Sequence, residues 1–236
     1  MAKNILITGA AKRIGREIAL YFADMGYSIA LHYKDSQSKA SILKKEIESK
    51  GVKCKLFHCD FNKLDTLNDF VSKIIKAFGS IDVLINNASV YKENTFYETT
   101  LEVFENNFNV NFKIPFFLTK ILFERKDSGH VINILDSRIA RNDSKCCSYT
   151  LSKKALGEFT KMAAYTLAPN IRVNAIAPGI ILPPEGKDDF YISELIEKVP
   201  MKCKGSISNI LSAIEFLEKN ESVTGEIIFM DGGLNL

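Results

Sequence analysis

The chain opens on a strand–turn–helix–strand unit, and that unit constrains most of what can follow. Residues 4–8 (Asn-Ile-Leu-Ile-Thr) are a short apolar run bounded by Gly9, which predicts a buried strand. Ile14, Ile18, Ala19 and Phe22 then recur at helical spacing, and Gly26 stops the pattern. Residues 28–32 (Ser-Ile-Ala-Leu-His) are a second apolar strand. Two strands joined by a crossover helix form a βαβ unit, and parallel strands need helices on both faces to be buried. The turn of residues 8–15 (Thr-Gly-Ala-Ala-Lys-Arg-Ile-Gly) places glycines where the backbone must bend tightly. A turn of this kind lets the backbone approach a pyrophosphate at the N-terminus of the helix.

The same alternation runs to the end of the chain. Helices are expected over residues 38–50 and 64–78, with strands over 52–58 and 81–85. One long helix follows over residues 101–124, interrupted by Pro115. A strand over 131–135, a helix containing Tyr149 and a strand over 171–177 come next. Helices over 190–198 and 207–217 and a strand over 226–230 complete the pattern. This predicts an α/β fold, a doubly wound Rossmann-type parallel sheet of about seven strands. No linker or repeat divides it, so residues 1–236 are expected to form a single domain with one core.

Composition narrows the partners. The basic residues are scattered and the net charge is only +3, which points away from a nucleic-acid face. No apolar run is long enough to span a bilayer, and residues 1–3 lead straight into a strand without the apolar region of a signal peptide. A cytoplasmic protein that binds neither nucleic acid nor membrane is expected. The five cysteines include no Cys-x-x-Cys pair and no His cluster stands beside them, so reduced thiols and no metal site are expected.

Candidate chemistry centres on residues 136–153. Tyr149 and Lys153 are four residues apart on a helical segment, so phenol and ammonium share one face. A free phenol has a pKa near 10, and a fixed cation beside it favours the phenolate. The pair therefore reads as a proton donor whose pKa Lys153 lowers. The strand over residues 131–135 brings Asp136 to its carboxyl end, the edge at which open parallel sheets bind ligands.

These motifs together resemble the short-chain dehydrogenase/reductase family over the whole chain. The turn is similar to that family's Thr-Gly-x-x-x-Gly-x-Gly fingerprint, with Arg13 where the middle Gly usually stands. The resemblance implies that Gly9, Ile14 and Gly15 hold a dinucleotide's pyrophosphate side, with Arg13 near the adenosine ribose. It implies an adenosine site at His32, Tyr33, Lys34, Ser36, Asp60 and Phe61. Asn87, Ala88 and Ser89, matching Asn-Asn-Ala-Gly, and the Pro178-Gly179-Ile180 loop would line the nicotinamide with Tyr149 and Lys153. Asn111 matches the Asn that opens the long helix and holds a water near the catalytic Lys. The usual Thr beyond residue 180 is absent, with Ile181 and Leu182 in its place. In NAD-preferring members an acid at the end of the second strand binds the ribose; here Tyr33 occupies that position and Asp35 falls later. Arg13, Lys34 and Ser36 could then hold a 2′-phosphate, so NADPH is the expected cofactor; alternatively Lys34 is a solvated loop charge.

One departure sharpens the reading. The family's catalytic Ser lies thirteen residues before the Tyr, where this chain has Asp136, with Ser137 one place later. A carboxylate would repel a developing oxyanion but accepts hydrogen bonds from ring N–H groups. Asp136, Arg13, the His32-Tyr-Lys-Asp-Ser36 run and Asn-Asn-Ala-Ser followed by Tyr91 together look like the pteridine reductases, including the bacterial dihydromonapterin reductases. The resemblance implies NADPH-dependent reduction of a pterin, with Asp136, Tyr149, Lys153 and Asn111 catalytic and Ser89, Tyr91, Asp136 and Tyr149 meeting the substrate. It also implies a homotetramer and a mobile loop over residues 183–189 covering the substrate. In the alternative, Ser137 takes the catalytic place and the protein is a 3-oxoacyl-carrier-protein or sugar reductase; a third reading is a non-catalytic NADP-binding regulator.

Overall fold

A computed structural model of the chain describes residues 2–124, 126–142, 145–183 and 189–236. Seven parallel strands form one sheet: β1 (Asn4–Ile7), β2 (Ser28–Tyr33), β3 (Cys54–His58), β4 (Val83–Asn86), β5 (Gly129–Ile134), β6 (Ile171–Pro178) and β7 (Ile227–Met230). Their spatial order is β3-β2-β1-β4-β5-β6-β7. Ile7 therefore lies between Leu31 and Ile85, and the chain reverses its winding between β1 and β4. That reversal opens a crevice at the carboxyl ends of the strands, where ligands of such sheets bind.

The helices are α1 (Arg13–Asp24), α2 (Gln37–Ser49), α3 (Leu67–Phe78), α4 (Leu101–Phe108), α5 (Ile114–Phe123), α6 (Cys147–Leu167), α7 (Asp189–Ile196) and α8 (Ile207–Lys219). The pleat of β1 explains the two layers. Ile5 and Ile7 point to one face and pack with Ile18, Phe22, Leu43 and Ile214 from α1, α2 and α8. Leu6 points to the other and packs with Phe70, Ile74, Leu118 and Ala163 from α3, α5 and α6. All three β1 residues are fully buried, as the uninterrupted apolar run requires.

The expected helix over residues 101–124 is broken, but not at Pro115. A π turn, Asn109–Lys113, separates α4 from α5, and Pro115 falls in the first turn of α5. The cause is local. Proline has no N–H for the carbonyl four residues upstream, Asn111, and its ring crowds that carbonyl. The wider π turn absorbs both. Residues 184–188, most of the covering loop expected over residues 183–189, lie outside the described residues. Among the described residues no helix is long and apolar enough to cross a membrane.

Candidate active site

The crevice is stitched together by backbone and small polar side chains. Thr8 Oγ1 accepts from the N–H groups of Asn87 and Ala88, both at 2.9 Å. Asn87 Nδ2 donates to the carbonyls of Thr8 and Gly9 at 2.9 and 3.1 Å. The turn after β1 thus lies directly against the loop after β4. Gly15 is required there, because a Cβ would sit 2.4 Å from the Gly9 carbonyl oxygen and 2.6 Å from Asn87 Nδ2. Arg13 has φ +56°, the left-handed region, so the backbone keeps a glycine's conformation under an arginine side chain. Its Nη2 donates to the Pro183 carbonyl at 2.9 Å.

His32 lies beneath this turn, 2% exposed. Its Nδ1 accepts from the Gly9 N–H at 3.1 Å, which assigns the ring proton to Nε2 for donation to the Cys59 carbonyl at 3.1 Å. The ring stacks on Phe61 at 3.9 Å. Burial pushes its pKa down to about 4. The imidazole therefore supports the glycine turn from below as a neutral ring. The sequence placed His32 in the expected adenosine site; its role as the buried prop under the glycine turn appears only in the structure.

On the adenosine side, Lys34 Nζ lies 3.2 Å from Asp60 Oδ1. Ser36 is the N-cap of α2, which starts at Gln37. Nearby, a cavity of about 430 Å³ is lined by Lys12, Arg13, Arg16 and Lys39 with Ala11, Ile42 and Leu43. Three of these cations, Lys12, Arg16 and Lys39, were missed in sequence; for Lys39 the signal was a lysine on the first turn of the helix that follows Ser36. This donor set suits a phosphate, and the tight glycine turn opening α1 suits a pyrophosphate. The residues fit a phosphorylated dinucleotide.

The catalytic candidates meet at the ends of β5 and α6. Tyr149 Oη donates to Asp136 Oδ2 at 2.9 Å, and Asp136 Oδ1 accepts from the Arg138 N–H at 2.8 Å. The aspartate caps a 3-10 turn, Ser137–Ala140. Ser137 is 1% exposed within that turn, while Asp136 is the side chain bonded to the phenol. Lys153, 2% exposed, donates from Nζ to the Ile134 carbonyl at 2.8 Å and stands 6.0 Å from the Tyr149 ring centre.

The electrostatics correct one expectation. Lys153 was expected to lower the phenol's pKa. Instead Tyr149 is held well above the ordinary tyrosine value, first by burial and then by the Asp136 carboxylate. The cation acting against that rise is Arg138. Lys153 is itself pushed down to about 8 by burial, with Asp136 opposing. The reason is geometric: the ammonium points at a backbone carbonyl, while the carboxylate points at the phenol.

Asn111, fully buried, clamps the loop after β4. Its Oδ1 accepts from the Val90 N–H at 2.9 Å and from Ser89 Oγ at 3.0 Å. Its Nδ2 donates to the Val90 carbonyl at 3.1 Å and to Ser152 Oγ at 3.1 Å. Ser152 Oγ donates in turn to the Tyr149 carbonyl at 2.7 Å. Both ends of the Asn111 amide are thus committed to protein partners. Tyr91 stands edge-on to Tyr149, ring centres 5.0 Å apart and planes at 86°. Its hydroxyl accepts from Cys146 Sγ at 3.4 Å, and the Arg138 guanidinium carbon is 5.8 Å from its ring centre. Arg138 and Cys146 were also missed in sequence, because only the folded turn brings them to Tyr91. On the far wall, Gly179 donates to the Met230 carbonyl at 3.0 Å, and a Cβ on it would lie 2.7 Å from Asp231 Cα.

Comparison with known proteins places this geometry. The chain is 32% identical to the 3-oxoacyl-[acyl-carrier-protein] reductase FabG of Staphylococcus epidermidis over 242 aligned residues, covering 99% of each. The structure is similar to a FolM alternative dihydrofolate reductase 1 from Brucella canis, solved with NADP, with TM-score 0.93, 30% identity and coverage of 99% of this chain and 94% of that one. It is also similar to a blue fluorescent protein from a metagenomic library, solved with NADPH, with TM-score 0.91, 28% identity and coverage of 98% and 97%. The short chain dehydrogenase profile matches residues 3–189. That match runs through both the glycine turn and the tyrosine helix, and the chain belongs to the short chain dehydrogenase family.

Proposed function

We propose that this chain is an NADPH-dependent reductase of a pterin, acting on the C=N bond of a dihydropterin or a dihydrofolate-like ring. The observation that carries the reading is the 2.9 Å hydrogen bond from Tyr149 to Asp136. A carboxylate at this place disfavours a developing alkoxide and favours a substrate with N–H donors. When bound, NADPH supplies a hydride to the carbon of the C=N bond. The adjacent nitrogen then needs a proton, and the Tyr149 hydroxyl is the protein's donor. Asp136 orients that hydroxyl and meets ring N–H groups. Lys153, anchored on the Ile134 carbonyl, holds the nicotinamide ribose side and returns a proton toward Tyr149 through water at the π turn. Tyr91 offers an aromatic face to the ring, a contact of roughly 0.5–1.5 kcal/mol beyond area burial. Asn111 and Ser152 keep the loop carrying Ser89 and Tyr91 fixed against α6.

The solved relative named a dihydrofolate reductase supports this choice. The relative named FabG supports a second reading, reduction of a 3-oxoacyl thioester. NADPH oxidation measured by absorbance on a panel of dihydropterins, dihydrofolate and a 3-oxoacyl thioester separates the two. Turnover of a pterin substrate alone is expected; turnover of the thioester alone would sink the pterin reading. A homotetramer in the cytoplasm belongs to the same proposal. Leu101, Phe117, Leu151, Met162 and Tyr165 on α4, α5 and α6 expose large apolar surface, which a second copy would cover. A monomer by light scattering would reject the tetramer.

A further inference from the structure

The site holds a cation that the catalytic scheme does not use. Arg138 and Asp136 stand two residues apart on the 3-10 turn that follows β5, and the Asp136 side chain fixes the Arg138 N–H at 2.8 Å. The same aspartate holds Tyr149, so the turn presents a carboxylate and a guanidinium beside one phenol. The guanidinium carbon is 5.8 Å from the centre of the Tyr91 ring, within the range of a cation–π contact. Tyr91 stands edge-on to Tyr149. The cation is therefore part of the aromatic pocket, and it is partly buried there, where a charge acts more strongly than in water.

We infer that Arg138 is a substrate-binding, specificity-determining residue: its guanidinium takes an acceptor oxygen of the substrate, a ring carbonyl or a tail carboxylate, while Asp136 takes ring N–H donors. This rests on the pterin reading and extends it. A carboxylate alone selects donors. A carboxylate and a guanidinium on one turn select a polar edge or molecule carrying both. Arginine suits this better than lysine, because its planar fork presents several donors and stacks on aromatic rings. A simple ketone offers the turn an acceptor but no donor for Asp136.

Steady-state kinetics of wild type, Arg138→Met and Arg138→Lys test the contact on dihydrobiopterin, which has no carboxylate, and on dihydrofolate, whose glutamate tail carries them. Arg138→Met is expected to raise KM roughly tenfold or more, with kcat and NADPH affinity near wild type and partial recovery in Arg138→Lys. A rise with both substrates assigns the contact to a ring oxygen; a rise with dihydrofolate alone assigns it to the tail. Unchanged KM with both would overturn the inference. Thermal unfolding near the wild-type midpoint excludes a folding defect, and Arg138→Gln replaces Arg138→Met if that variant is unstable. Calorimetric binding of dihydrofolate to the NADP-loaded protein keeps this result apart from the function reading. Binding weakened by Arg138→Met in a protein that turns over no pterin would support the contact and reject the reductase. Equal binding in both proteins, or none by wild type, would overturn the contact.

Discussion

The Tyr149 hydroxyl donates to the Asp136 carboxylate at 2.9 Å across a sequence separation of thirteen residues. The pairing keeps the phenol protonated at neutral pH, because burial and the carboxylate both raise its pKa. It also gives Asp136 a bond that a serine at that place could make only as a neutral partner. Asp136 is therefore an orienting acceptor, and Tyr149 a proton store rather than a phenolate.

Tyr149→Phe should remove the store and leave the ring packing against Tyr91 in place. Turnover is expected to fall by roughly 10²–10⁴-fold, the usual contribution of a positioned acid. NADPH affinity should stay near wild type. Equilibrium titration beside steady-state kinetics checks both, and a variant with substantial turnover would mean that the proton comes from elsewhere.

Lys153 sets an alkaline limit. Its pKa is pushed down to about 8, so it is charged below that pH and neutral above it. Because kcat/KM for NADPH reports groups of the free enzyme, it should decline as pH rises through about 8. A profile flat to pH 10 would show that the charge on Lys153 does not matter for cofactor capture.

His32 sets an acid limit on stability. Its folded pKa is about 4, below its ordinary 6.5. A depressed histidine contributes stability that is fully present above pH 6.5 and is lost as pH falls toward 4. The gap is worth roughly 3 kcal/mol. Protonation would also remove the Nδ1 acceptor from the Gly9 N–H. Urea unfolding should give a midpoint that drops between pH 6.5 and 4.5 in wild type and drops less in His32→Gln. Equal losses in the two proteins would place the acid sensitivity elsewhere.

Arg13 joins an uncommon backbone to a useful charge. Arg13→Gly should relieve a left-handed conformation costing roughly 1–2 kcal/mol and so leave the melting temperature equal or higher. Affinity for NADPH should nonetheless fall about tenfold or more while affinity for NADH changes little, since a charge-assisted bond to a phosphate is lost. Parallel losses for both cofactors would mean that Arg13 serves the turn and not the phosphate.

The fold was legible because the inner strands are buried on both faces and read as unbroken apolar runs, Ile5, Leu6 and Ile7 most clearly, while the edge strand β3 reads by its alternation. All seven strands lie where the runs predict them, give or take a few residues. Pro115 alone marked an interruption of the long helix; the resemblance put its opening at Asn111, and the backbone yields there, in the turn Asn109–Lys113. At the site, spacing could put Tyr149 and Lys153 on one helix face and Asp136 at the end of a strand. It could not give the direction of the Lys153 ammonium, which the Ile134 carbonyl decides, and so it assigned the electrostatic influence on the phenol to the wrong cation. Arg138 and Cys146 were illegible as site residues, and the support that His32 gives the glycine turn was illegible too, because their partners are distant in sequence and carry no periodic signal.

The central claim is that Asp136, standing where the family has a serine, makes this a reductase of donor-bearing rings. The direct test is Asp136→Ser, assayed with NADPH on a dihydropterin and on a 3-oxoacyl thioester. The account predicts that pterin kcat/KM falls by roughly a hundredfold or more, that NADPH binding is retained, and that thioester turnover rises. Pterin reduction at the wild-type rate in Asp136→Ser would contradict it.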